Sequence, residues 1–167
     1  MRPVQTEDAV DRIIQQWARE RPDLETEAMA VFGRVYRIAA AMGARQQEAY
    51  AAFGISRGEF DVIGTLRRSG EPFQLSPKEL TSMLMLTSGG MTGRLDRLER
   101  AGLVTRSPDP GDRRALVITL TERGRELADE MVGAGLAIQR EALERLPEPA
   151  RHHLNGLLRE LLAVVDS

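Results

Sequence analysis

Six arginines fall between positions 94 and 114 (Arg94, Arg97, Arg100, Arg106, Arg113 and Arg114) against four acids, Asp96, Glu99, Asp109 and Asp112. This stretch is net positive in a chain whose formal net charge is −2. Guanidinium groups suit phosphate oxygens, guanine edges and narrow minor grooves. With no global basic signature, any nucleic-acid chemistry has to reside in this local charge. Just ahead lies Thr87-Ser88-Gly89-Gly90-Met91-Thr92-Gly93-Arg94. Its small residues permit close approach, and its hydroxyls and arginine can bond bases or phosphates. Each piece also has a plainer reading: a loosely held helix for the glycines, a solvated hairpin tip for Asp112-Arg113-Arg114.

Other chemistries find little support. There is no cysteine, which removes disulfides, thiol redox sensing and thiolate metal sites. The two histidines, His152 and His153, are neighbours, and on a helix they diverge by about 100° rather than sharing a metal. No Ser–His–Asp spacing is visible, and the Gly89-Gly90-Gly93 cluster follows a helix rather than a strand, so it is no phosphate cradle. The chain is expected to be no enzyme and to carry no metal or cofactor. Apolar residues make up 42% and charged residues 29%, which argues against wholesale disorder. No apolar run approaches the ~20 residues of a membrane span. Glu7, Asp8 and Asp11 at the start are wrong for a secretory signal, so a cytoplasmic protein is expected.

The elements that must position these residues follow from caps and periodicity. Residues 7–20 predict a short helix with Val10, Ile13, Ile14 and Trp17 on one stripe. Residues 24–52 predict a long helix with Val31, Phe32, Val35, Ile38 and Met42 on another. Ser56 with Glu59 forms a capping-box pattern that opens a helix to Arg68. Ser69-Gly70-Glu71-Pro72 is a turn. Ser76-Pro77-Lys78-Glu79 is a strong start signal for a helix over 76–86, and a further helix is expected over 87–100, stopped by Gly102. Residues 103–106 and 115–120 read as two strands around a turn-rich tip, Ser107 to Asp112. Thr121 caps a helix to about 146, in which Gly133 and Gly135 weaken the middle. Pro147 and Pro149 interrupt the chain before a last helix over 150–165.

The expected fold is therefore mainly α with a small β-ribbon: a winged helix-turn-helix over 53–120, flanked by N-terminal helices (1–52) and C-terminal helices (121–167) that form a dimerisation lobe. Residues 76–86 would cross the DNA backbone and 87–100 would enter the major groove. The candidate DNA contacts are Ser76, Lys78, Thr87, Ser88, Gly89, Gly90, Met91, Thr92, Arg94 and Arg97, with Asp112, Arg113 and Arg114 at the wing tip over the minor groove. Asp112 can hold a neighbouring arginine by a charge-assisted bond. The stripes on 24–52, 121–146 and 150–165 exceed what one lobe buries, which points to a two-fold homodimer.

The runs Gly93-Arg94-Leu95-Asp96-Arg97-Leu98-Glu99-Arg100-Ala101-Gly102-Leu103-Val104, Asp109-Pro110-Gly111-Asp112-Arg113-Arg114 and Leu120-Thr121-Glu122-Arg123-Gly124 resemble the MarR family of bacterial transcriptional regulators. The resemblance is close over the winged module and extends in layout to nearly the whole chain. It implies a homodimer on a pseudo-palindromic operator, released by a small-molecule effector. Within the family, the urate-responsive branch has an N-terminal tryptophan, an aspartate on the helix before the helix-turn-helix, and arginines in the recognition helix and first wing strand. These match Trp17, Asp61, Arg94 and Arg106. An indole can stack on a planar purine and guanidinium groups can hold its charge. Core packing would also account for Trp17, an ion pair for Asp61, DNA contact for Arg94 and a surface position for Arg106. A pocket for phenolic or aromatic acids and a winged helix devoted to protein interaction are the alternatives.

Overall fold

The structure is a computed structural model that describes residues 7–84, 90–109, 111 and 115–166. Among these are seven helices and one three-stranded antiparallel sheet: α1 (Ala9–Glu20), α2 (Glu27–Ala51), α3 (Arg57–Arg68), β1 (Gln74–Leu75), α4 (Pro77–Met83), α5 (Met91–Arg100), β2 (Val104–Pro108), β3 (Leu116–Leu120), α6 (Glu122–Glu144) and α7 (Glu148–Val165). The chain divides into two compact units, residues 1–45 and 46–167.

In the first unit Asp8 caps α1 in a capping box with Asp11. Val10 is buried, and a methyl group added at Gly33 of α2 would lie 3.1 Å from its Cγ1. Arg34 of α2 donates to Asp8 at 2.8 Å and to Asp11 at 2.6 Å, tying the two helices together. The expected α1 stripe is only partly used: Ile13 and Trp17 are each 41% exposed. Val31 and Ile38 of α2 are exposed as well.

The second unit is built around α3. Val62, Ile63 and Leu66 are fully buried against Leu80 of α4, Leu95 and Leu98 of α5, Ile118 of β3 and Met131 of α6. Both capping boxes form as expected, Ser56 with Glu59 and Ser76 with Glu79, the second with Pro77 in the first turn. β2 and β3 make the wing hairpin, in register from Val104 opposite Leu120 to Pro108 opposite Leu116. A third strand, β1, was not expected. It joins the open edge of β3, with Gln74 opposite Thr119, and two residues between a turn and a helix cap carry no alternating pattern that could announce it.

Two expectations are corrected, the start of the recognition helix and the place of Pro149. The recognition helix begins at Met91, with Gly90 as its cap at φ 85°, a left-handed conformation that glycine adopts at no steric cost. Gly90 is thus cap rather than helix interior; Gly93 is the glycine inside α5, and Thr87 to Gly89 lie outside the described residues. α6 runs through Gly133 and Gly135, and Gly135 lets the Tyr50 hydroxyl sit where a side chain would be. Pro149 lies inside the first turn of α7, where its missing N–H has no helical partner to lose.

α7 has no buried residue, and Leu157, Leu158 and Leu162 stand in solvent, as do Leu136 and Leu143 of α6.

Candidate nucleic-acid interface and adjoining cavity

α5 is held on its inner side by Leu95 and Leu98, which leaves Thr92 and Arg97 outward. Arg97 has two roles. Its Nε donates to the buried carboxylate of Glu59 on α3, yet its side chain remains 53% exposed, so the rest of the guanidinium faces solvent. Arg94 is less free. Its guanidinium lies over Gly58 of α3, where a methyl group would meet Nε at 2.8 Å. Arg106 reaches from β2 to α5, donating to Asp96 at 2.5 Å and lying 3.5 Å from Glu99. The wing's first strand is therefore clipped to the reading helix. Lys78 is exposed on α4, while the Ser76 hydroxyl is already engaged with Glu79. Met91 is half-buried and Gly90 exposed. Asp112, Arg113 and Arg114 lie outside the described residues, as do Thr87, Ser88 and Gly89.

A cavity of about 580 Å³ lies against the opposite side of α3. Arg57, Phe60, Asp61, Gly64, Thr65 and Arg68 line it from α3, Val132, Gly135, Leu136 and Gln139 from α6. Each set recurs at helical spacing, so each is one stripe of its helix. Gln46 and Tyr50 close one side and Leu84 another. The Tyr50 and Phe60 rings pack tilted, with centroids 4.7 Å apart. The wall thus combines an aromatic pair, two guanidinium groups and one carboxylate, a set suited to a planar anion.

Asp61 is perturbed there. Burial pushes its pKa above the usual value, and the cations Arg57, Arg94 and Arg68 only partly offset this. Burial also raises the Tyr50 phenol, with help from the Asp61 charge. Asp61 Oδ2, Arg94 Nη1 and Arg106 Nε are shielded from solvent and have no hydrogen-bond partner among the described residues. Buried polar groups are nearly always satisfied, so the unpartnered Asp61 oxygen, on a residue that lines the cavity, marks it for a ligand or water.

Of the sequence-derived ligand residues, Asp61 lines the cavity. Arg94 acts on Asp61 through its charge from beside Gly58, and Arg106 is engaged with α5 acids. Trp17 belongs to the N-terminal unit. Sequence reasoning missed Arg57, Arg68, Tyr50 and Phe60. Arg57, Asp61 and Arg68 fall on one face of a helix, and that periodicity was the available signal.

A short helix, a capped reading helix and a two-stranded wing define a winged helix-turn-helix protein of the DNA-binding regulator class. Residues 53–115 match the MarR family, and the chain is 38% identical over 149 residues to the HTH-type transcriptional regulator PecS of Dickeya dadantii, covering 89% of this chain and 90% of that one. The chain belongs to the MarR family of transcriptional regulators. Its fold is similar to BpsR of Bordetella bronchiseptica, whose DNA binding is regulated by 6-hydroxynicotinic acid (TM-score 0.68, 27% identity, 78% of this chain and 91% of that one). It is also similar in fold to a mutant MarR from E. coli complexed with operator DNA (TM-score 0.70, 24% identity, 82% and 96% covered).

Proposed function

We propose that this chain is a cytoplasmic repressor that binds a pseudo-palindromic operator as a homodimer and is released by a small planar anion, with urate or a related purine as the first candidate. The observation that carries this reading is the double engagement of α3. One side holds the reading helix through Glu59 and Arg97. The other lines the cavity with Arg57, Asp61 and Arg68. An anion entering the cavity attracts the two guanidinium groups and repels ionised Asp61, so it acts on the helix that carries α5. Such a ligand binds the two arrangements with different affinity, which is what a switch requires.

Phenolic or aromatic acids are the second reading. They are favoured by the Tyr50–Phe60 wall and by the 6-hydroxynicotinic acid response of BpsR. The exposed leucines of α7 support the dimer, because so much apolar surface on one helix calls for a partner. The DNA contacts we assign are Ser76, Lys78, Gly90, Met91, Thr92, Arg94 and Arg97, together with Thr87, Ser88, Gly89, Asp112, Arg113 and Arg114 outside the described residues.

The test is fluorescence anisotropy on a duplex selected by the full chain from a random pool. Affinity should fall steeply with salt, and urate or salicylate should release the duplex at up to millimolar concentration. Salt-independent association would defeat the DNA reading, and release by neither anion would defeat the effector reading. Substituting Leu157 and Leu158 together by Asp should turn a sedimenting dimer into a monomer.

A further inference from the structure

We propose that Arg68 binds the effector anion directly and that, in doing so, it releases the end of α4, coupling the cavity to the helix-turn-helix. This rests on the effector reading above and assigns the residue that transmits the signal. Arg68 is the last residue of α3 and one of the two cations on the cavity stripe. Its side chain reaches across to another element. Its Nη2 donates to the Met83 carbonyl at 2.7 Å. Met83 is the final residue of α4, and Leu84, the next residue, itself lines the cavity. One guanidinium therefore stands between the ligand space and the C-terminus of the helix that precedes α5.

The last carbonyls of a helix have no partner within it, and a cation there meets both an acceptor and the negative end of the helix dipole. In the seven-residue α4 this end contact acts beside the Leu84 N–H bond to the Leu80 carbonyl in holding the final turn. The contact is to a neutral acceptor. A carboxylate or urate-type anion offers a charged, bidentate acceptor, and such bonds are roughly twice as strong as neutral ones. Asp61, on the same stripe, already feels the Arg68 charge, so the guanidinium lies in electrostatic reach of the cavity. An anion beside Asp61 thus competes with Met83 for Arg68. When it wins, the α4 carbonyl loses its donor and the last turn loosens. Arg57, whose backbone N–H bonds Gln47 in α2 at 3.0 Å, is the second cation on the stripe.

The experiment uses the full chain and the variants Arg68→Met and Arg68→Lys, with urate and salicylate as probes. Isothermal titration should show the anion binding about tenfold more weakly to Arg68→Met, as expected for the loss of one charge-assisted bond. Hydrogen exchange over residues 77–84 should speed up severalfold when the anion binds the wild-type chain. In Arg68→Met it should be fast without anion and unchanged by it. Arg68→Lys should recover part of the anion affinity through its charge. Equal anion affinity in Arg68→Met, or unchanged α4 exchange on anion binding to the wild-type chain, overturns the relay and leaves the effector reading intact. Binding of neither anion to the wild-type chain at millimolar concentration overturns both. Weaker operator binding by Arg68→Met with a shallower salt slope marks a phosphate contact instead and overturns the relay. If Arg68→Met fails to fold, the wild-type exchange and Arg68→Lys decide.

Discussion

Glu59 and Asp61 stand two residues apart on α3 and meet opposite surroundings. Glu59 accepts from the Ser56 amide at 2.8 Å, from the Ser56 hydroxyl at 2.6 Å and from Arg97. Burial pulls its pKa upward, and these bonds more than cancel that, leaving it below the usual value. Asp61 has burial without comparable bonds, so its pKa is raised and one oxygen is left without a partner among the described residues. The first carboxylate serves architecture, since it caps α3 and anchors α5 together. The second is left poised over a cavity. Satisfied charge fixes a structure, whereas unsatisfied charge in a concave wall leaves room for a ligand to change it.

The largest expected break in that contrast is Glu59→Ala. It removes a cap and leaves Arg97 without its carboxylate, which should cost about 2–3 kcal/mol in urea unfolding. Glu59→Gln can still cap and should cost less while releasing Arg97. On the cavity side, Gly135→Ala forces a methyl group into the Tyr50 hydroxyl. Overpacking of this kind costs about 1–3 kcal/mol. It should also weaken effector binding in titration calorimetry, because Tyr50 and Gly135 both line the cavity.

The two carboxylates should also give opposite pH dependences. Glu59, with its folded pKa below 4.5, contributes stability that is present above that value and lost as pH falls through the folded pKa. Asp61, with its folded pKa above 3.8, holds its proton more tightly when folded. Its contribution is most favourable below 3.8 and is lost as pH rises through the raised folded pKa. Unfolding free energies measured from about pH 3.5 to 7 should therefore show Glu59→Gln flattening the acid loss. Asp61→Asn should remove a penalty and be at least as stable as the wild-type chain at neutral pH. Destabilisation of Asp61→Asn at neutral pH would show that Asp61 is a structural partner and would end the contrast.

How much of this was legible in the sequence depended on range. Ser56 with Glu59 and Ser76 with Glu79 act within four residues, so their caps could be read directly and both form. The wing hairpin followed from β-branched residues around a proline-rich tip. β1 could not be read, because its two residues become a strand only by joining β3 more than forty positions later. The start of α5 depended on the positive φ of Gly90, and glycine alone does not say which side of a cap it occupies. The cavity was half visible. Asp61 could be picked out, but nothing local singles out Arg57 and Arg68, because their place on the cavity wall depends on α6 packing against α3.

The finest probe of the contrast is Gly58→Ala. Gly58 precedes Glu59 on α3 and supports the Arg94 guanidinium, whose Nε, Cζ and Nη2 would lie 2.8, 3.0 and 3.1 Å from the new methyl group. The obstacle is the far end of a flexible side chain, so the chain should fold unimpaired. Gly58 sits in the first turn of α3, where alanine loses less backbone freedom than glycine on folding, so stability should not fall. The cost should appear elsewhere. Arg94 acts on Asp61 electrostatically, and moving its guanidinium changes the charge that Asp61 feels and the group that α5 offers to DNA. Operator affinity or effector release should therefore change while the melting temperature is unchanged or higher. If both functional readouts stay at wild-type values, the packing of Arg94 on α3 is incidental. Coupling between the cavity and the reading helix would then run through Glu59 and Arg97 or through the Arg68 contact to α4, with no part for Arg94.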